Sequence, residues 1–72
     1  MLFNEKLRIL RKENNLTQEK LAEKLNVSRQ TIYKWESNIA IPRADNIMMI
    51  VKLFKISYDE LFAEDSEINN EK

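Results

Sequence analysis

Apolar residues recur along this chain at intervals of three and four, the spacing that lines up one face of an α-helix, and nowhere alternate as a half-buried strand would. Leu21 and Leu25 lie four apart, Ile32 and Trp35 three apart, and Val27 sits in the short Asn-Val-Ser break between the two pairs. Five helical segments follow from this periodicity. The first runs from about Asn4 to Glu13, with Leu7, Leu10 and Arg11 on one face, and is stopped by Asn14 and Asn15. A second begins at Thr17, which can accept the unpaired N–H groups of a helix start, and Glu19 complements the positive end of its dipole. The third covers Ser28 to about Ser37, with Ser28 as the cap. After the loop Asn38 to Pro42, whose proline disfavours helix at Ile41, the fourth covers Ala44 to Phe54 with Ile47, Ile50, Val51 and Phe54 in register. The fifth opens on Ser57-Tyr58-Asp59-Glu60, a capping-box pattern, and includes Leu61 and Phe62.

Glycine is absent, yet these helices end in tight turns. Helix ends commonly need one residue in the left-handed conformation, which asparagine tolerates best after glycine. A positive φ is therefore expected at Asn26 and at one of Asn14 or Asn15. Asn38 and Lys55 stand at comparable positions, the lysine with a less suitable side chain.

Composition narrows the possibilities. Seventy-two residues make one domain, with a core of about a dozen apolar side chains and no room for a deep catalytic cleft. Cysteine and histidine are both missing, so disulfides, the usual zinc sites and imidazole acid-base chemistry are unavailable, and no metal or cofactor is expected. No apolar run approaches the length of a membrane span and the N-terminus does not resemble a signal peptide, so a soluble, cytoplasmic protein is expected. The formal net charge of zero conceals an asymmetry. From Met1 to Lys55 there are eleven Lys and Arg against six acids, and from Ile56 to Lys72 one Lys against six acids. A basic body is followed by an acidic tail, and a frayed stretch is expected over residues 64–72 after a domain spanning 1–63.

The string LRKENNLTQEKLAEKLNVSRQTIYKWESNIAIP, followed by IVKLFKISYDELF, resembles the lambda-repressor-like, Cro-type helix-turn-helix regulators, also called the xenobiotic-response-element type. The resemblance covers Leu7 to Phe62 and rests on Gln18 after the turn, Leu-Ala at 21 and 22, Val-Ser at 27 and 28, Arg-Gln-Thr-Ile at 29 to 32 and Lys-Trp-Glu at 34 to 36. It implies an all-α, five-helix domain in which helices two and three form the helix-turn-helix. The function it implies is non-enzymatic: a sequence-specific regulator of transcription, expected to repress, that binds double-stranded DNA as a homodimer on an inverted repeat. No small-molecule ligand is expected. Two departures stand out, Asn26 where glycine is usual and Arg43 where a Ser or Asp often caps the fourth helix.

Carried onto this chain residue by residue, the resemblance puts Arg29 and Gln30 against base edges. An arginine can bond O6 and N7 of guanine, and a glutamine N6 and N7 of adenine. Tyr33 and Lys34 follow one turn later on the same face, the lysine suited also to phosphate. Gln18 is expected to meet a phosphate at the start of the second helix, with Ser28, Thr31, Asn38 and Arg43 as further phosphate candidates. Trp35 faces inward by its spacing from Ile32, and by resemblance Glu36 pairs with Arg11. Ile39, Ile41, Met48, Met49, Leu53, Tyr58 and Phe62 exceed what one small core absorbs, and the dimer contact is expected at Ile41, Tyr58 and Phe62. An alternative function is a protein-interaction module, such as an antitoxin or a hetero-dimerising regulator, using helices four and five.

Overall fold

The computed structural model describes residues 2–63, and the stretch 64–72, expected as an acidic tail, lies outside them. Five helices follow one another: α1 (Phe3–Glu13), α2 (Gln18–Leu25), α3 (Arg29–Glu36), α4 (Ala44–Phe54) and α5 (Tyr58–Phe62). The starts of α2, α3 and α5 are set by polar caps. Thr17 Oγ1 accepts the Lys20 N–H at 3.0 Å, Ser28 Oγ accepts that of Thr31 at 3.1 Å, and Ser57 and Glu60 close a reciprocal capping box at 3.0 and 3.1 Å. α1 begins one residue earlier than the sequence pattern indicates. No Ser, Thr, Asp or Asn stands before Phe3, and the Glu5 carboxylate alone accepts the Leu2 N–H at 3.3 Å. α4 has no side-chain cap either, but starts regularly at Ala44 with Asp45 in its first turn.

The ends of α1 to α4 share one device. Asn15, Asn26, Asn38 and Lys55 have φ between 58 and 62°, in the left-handed region. In each case the next residue's N–H reaches back five positions: Leu16 to Arg11 O at 3.0 Å, Val27 to Ala22 O at 3.0 Å, Ile39 to Lys34 O at 2.9 Å and Ile56 to Val51 O at 3.1 Å. This is the Schellman closure of a helix C-terminus, made four times without a glycine. The residue after each left-handed turn is aliphatic, and three of the four, Leu16, Val27 and Ile56, pack against the core. The closures therefore stop the helices and, after α1, α2 and α4, also tuck an apolar side chain under the end, whereas Ile39 after α3 stays exposed.

The core consists of Leu7, Leu10, Leu21, Ala22, Leu25, Ile32, Trp35, Ile50 and Leu61, so every helix contributes to it. Leu7, Leu21, Leu25, Ile32, Ile50 and Leu61 are fully enclosed. Each such side chain contributes about 1.5–3 kcal/mol relative to exposure. α3 packs on α1 and α2, α2 on α4, and α1 on α5. Phe62 of α5 lies nearly parallel to Phe3 of α1, ring centroids 5.5 Å apart. Leu53, counted among the surplus apolar residues by its sequence position, packs against the core instead. Ile39, Ile41, Met48, Met49, Tyr58 and Phe62 remain exposed, Ile41 the most at 78%.

Candidate nucleic-acid interface

α2 and α3 cross because their inner faces are apolar and small where they meet. Leu21, Ala22 and Leu25 on one side and Ile32 and Trp35 on the other are all buried. The connection is short, with Asn26 left-handed, Val27 half-buried and Ser28 already the cap of α3. Ser28 Oγ also lies 2.8 Å from Thr31 Oγ1, which stiffens the first turn of α3. With Ile32 and Trp35 turned inward, the opposite face of α3 presents Arg29, Gln30, Tyr33 and Lys34 to solvent.

Electrostatics favour an anionic partner on that face. The only carboxylate in α3 is Glu36, and it is withdrawn from the surface, its side chain 4% exposed. Arg11 of α1 reaches it bidentately, Nε to Oε2 at 2.7 Å and Nη2 to Oε1 at 3.1 Å. The remaining Arg11 nitrogen, Nη1, donates to Leu16 O at 2.9 Å. This ion pair joins α1, the turn after it and the end of α3 in one arrangement. Asn4 adds a weaker contact, Nδ2 to the Glu36 carbonyl at 3.4 Å, while its Oδ1 is buried with no partner among the described residues.

Gln18 opens α2 and is half-buried between two charges. Its Nε2 donates to Glu36 Oε1 at 3.1 Å, and its Oε1 accepts from Arg29 Nη1 at 3.3 Å. The first residues of the two helices are thus linked to each other and to the ion pair beneath. This bridging position of Gln18 is not legible from the sequence, since it depends on how α2 and α3 cross. The only signal is that Gln18 and Arg29 each open one of the two helices.

The other candidate residues take no part in the hydrogen bonds or the ion pair of this cluster, and each sits in its own local setting. Thr31 is half-buried with its hydroxyl on Ser28, and Asn38 is exposed in the left-handed turn that ends α3. Arg43 precedes α4 with its side chain 86% exposed and 3.9 Å from Asp45. Ile41 lies in the loop before α4, and Tyr58 and Phe62 lie on α5, where Phe62 already uses one ring face against Phe3. Pro42, read from sequence only as a turn-former, is buried and anchors that loop.

A family model described as helix-turn-helix matches residues 7–61. The HTH-type transcriptional activator BcrR of Enterococcus faecalis is 51% identical over 63 residues, an alignment covering 88% of this chain and 31% of that protein. An uncharacterized HTH-type transcriptional regulator of Methanocaldococcus jannaschii is 43% identical over 63 residues, covering 86% of this chain and 96% of that protein. Among solved structures, the P22 c2 repressor protein in complex with synthetic operator 9T superposes with a TM-score of 0.82 at 29% identity, over 90% of this chain and 98% of that one. The chain spans about a third of the first of these relatives and nearly the full length of the other two.

Proposed function

The chain belongs to the helix-turn-helix family of Cro/C1 type, and from that premise we propose that it is a sequence-specific DNA-binding regulator of transcription that docks α3 in the major groove. The observation that carries this reading is the polarity of α3. One face is locked into the core through Ile32 and Trp35, its only carboxylate is neutralised from below by Arg11, and its outer face offers Arg29, Gln30, Tyr33 and Lys34. A helix held in this way can enter a groove about 12 Å wide without reorganising. The likeness to a repressor solved on its operator supports the same pose.

In this pose Arg29 and Gln30 read bases, Tyr33 meets a thymine methyl or the backbone, and Lys34 neutralises phosphate. The Gln18 amide is engaged on both sides, so its phosphate contact runs through the backbone N–H at the start of α2, where the helix dipole favours an anion. Ser28, Thr31, Asn38 and Arg43 supply the rest of the backbone clamp.

One such domain contacts too few base pairs for useful specificity, so the active unit is a homodimer on an inverted repeat, joined through Ile41, Tyr58 and Phe62. Repression follows most simply from occupancy, because a bound dimer need only exclude another protein from the same DNA. Selection of bound sequences from a random duplex pool tests the proposal. An inverted repeat with guanine or adenine under α3 is expected, and failure of the folded protein to enrich any sequence overturns it.

A second reading is favoured by the exposed Ile39, Ile41, Met48, Met49, Tyr58 and Phe62, which suit contact with another protein. If Arg29→Ala and Gln30→Ala leave function in the cell intact while Tyr58→Ala and Phe62→Ala abolish it, protein binding is the main activity.

A further inference from the structure

We propose that Glu36, a buried residue that faces away from the groove, is a positioning residue for base reading: it sets the direction of the Gln18 amide and through it holds Arg29. The inference rests on the DNA-binding reading above and deepens it. A carboxylate offers only acceptors, so the end of the Gln18 amide beside Glu36 Oε1 must be the NH2 group. That leaves the carbonyl end, Oε1, to point outward, where it accepts from Arg29 Nη1 at 3.3 Å. With the amide reversed, an N–H would face the guanidinium and repel it. The polarity of the surface contact is therefore decided in the interior, by a carboxylate that Arg11 clamps through two bonds.

Arg29 is exposed and opens α3, so little else in the structure restrains its long side chain. One guanidinium N–H engaged by Gln18 leaves the other donors of the fork free for guanine O6 and N7. A fork that is already oriented loses less freedom when it meets the base, so the contact discriminates more strongly. The ion pair between α1 and α3 thus affects the reading of a base that neither Arg11 nor Glu36 touches.

The test uses Gln18→Met, which keeps length and helix propensity while removing the carbonyl, and Glu36→Gln, which allows either amide direction. Affinity is measured on the selected DNA site and on the same site with the guanine opposite Arg29 replaced. For Gln18→Met, discrimination between the two sites is expected to fall about 5- to 10-fold, a part of what a bidentate arginine-guanine contact supplies. The same change in an Arg29→Ala background is expected to leave discrimination unaltered, and Glu36→Gln to behave as Gln18→Met does.

An equal loss on both sites would mean that Gln18 serves phosphate alone and would overturn the inference, as would additive effects of Gln18→Met and Arg29→Ala on discrimination. Nitrogen relaxation of the Arg29 Nε–H in the free protein provides a readout independent of DNA. Its motion is expected to increase in Gln18→Met, and unchanged order sinks the proposal even if Glu36→Gln proves too unstable to assay. Should the wild-type protein select no DNA sequence, the proposed function fails, and the relaxation experiment still decides whether Gln18 restrains Arg29.

Discussion

At the scale of single residues, two positions carry opposite kinds of tension. Glu36 and Arg11 are nearly enclosed, with side chains 4% and 11% exposed, and neither charge can be left alone there. Arg11→Ala is therefore expected to lower stability by about 3 kcal/mol, since it strands the carboxylate and also frees the Leu16 carbonyl. Thermal unfolding monitored by circular dichroism checks this, and an unchanged midpoint would remove the pair from the account of stability. Lys55 poses the reverse case. It holds φ at 58° with a side chain that gains nothing from the left-handed region, whereas Asn15, Asn26 and Asn38 occupy it at lower cost. Lys55→Asn is expected to stabilise by about 0.5–1 kcal/mol, visible as a higher urea midpoint at constant slope.

At the scale of elements, α3 turns one face to the core and the other to solvent, and salt dependence tests the roles proposed for the outer one. If Lys34 meets phosphate, Lys34→Ala weakens binding to all sequences alike and flattens the plot of log affinity against log salt by about one unit. Arg29→Ala should instead relax the preference at one base position. A titration of binding against salt on selected and scrambled duplexes distinguishes the two, and a Lys34→Ala variant with an unchanged slope would remove Lys34 from the phosphate contacts.

The elements themselves were readable in the chain because their punctuation is chemical and local. Thr17, Ser28 and Ser57 mark starts, and the Asn-Leu, Asn-Val and Asn-Ile pairs mark ends. α1 begins one residue before its pattern indicates because Leu2-Phe3 lacks a capping side chain and resembles an apolar approach. Leu53 packs against the core although its spacing leaves it surplus, because periodicity within α4 does not say how wide a stripe its neighbours cover. The Gln18 bridge depends on the mutual placement of three helices, and no spacing along the chain encodes it.

At the scale of the whole molecule, the apolar surface left over from the core becomes the question. Ile41, Tyr58 and Phe62 are exposed, the first on the loop before α4 and the other two on α5. A homodimer built there is expected to sediment at twice the monomer mass at high micromolar concentration, and Ile41→Asp with Tyr58→Ala is expected to return it to monomer and weaken binding to an inverted repeat. A protein that stays monomeric with and without DNA would exclude this interface. No helix among the described residues is long and apolar enough to cross a membrane.

The four left-handed turns also bear on the denatured chain. Glycine at each would relax the native backbone, yet it would also multiply the conformations open to the unfolded polypeptide, which by itself disfavours folding by about 0.4–1 kcal/mol per site. A chain with no glycine has fewer such conformations to give up, which matters in a domain whose small core leaves a narrow margin. Part of the stability of this fold thus lies in the stiffness of the state it leaves behind, where no contact in the folded molecule records it.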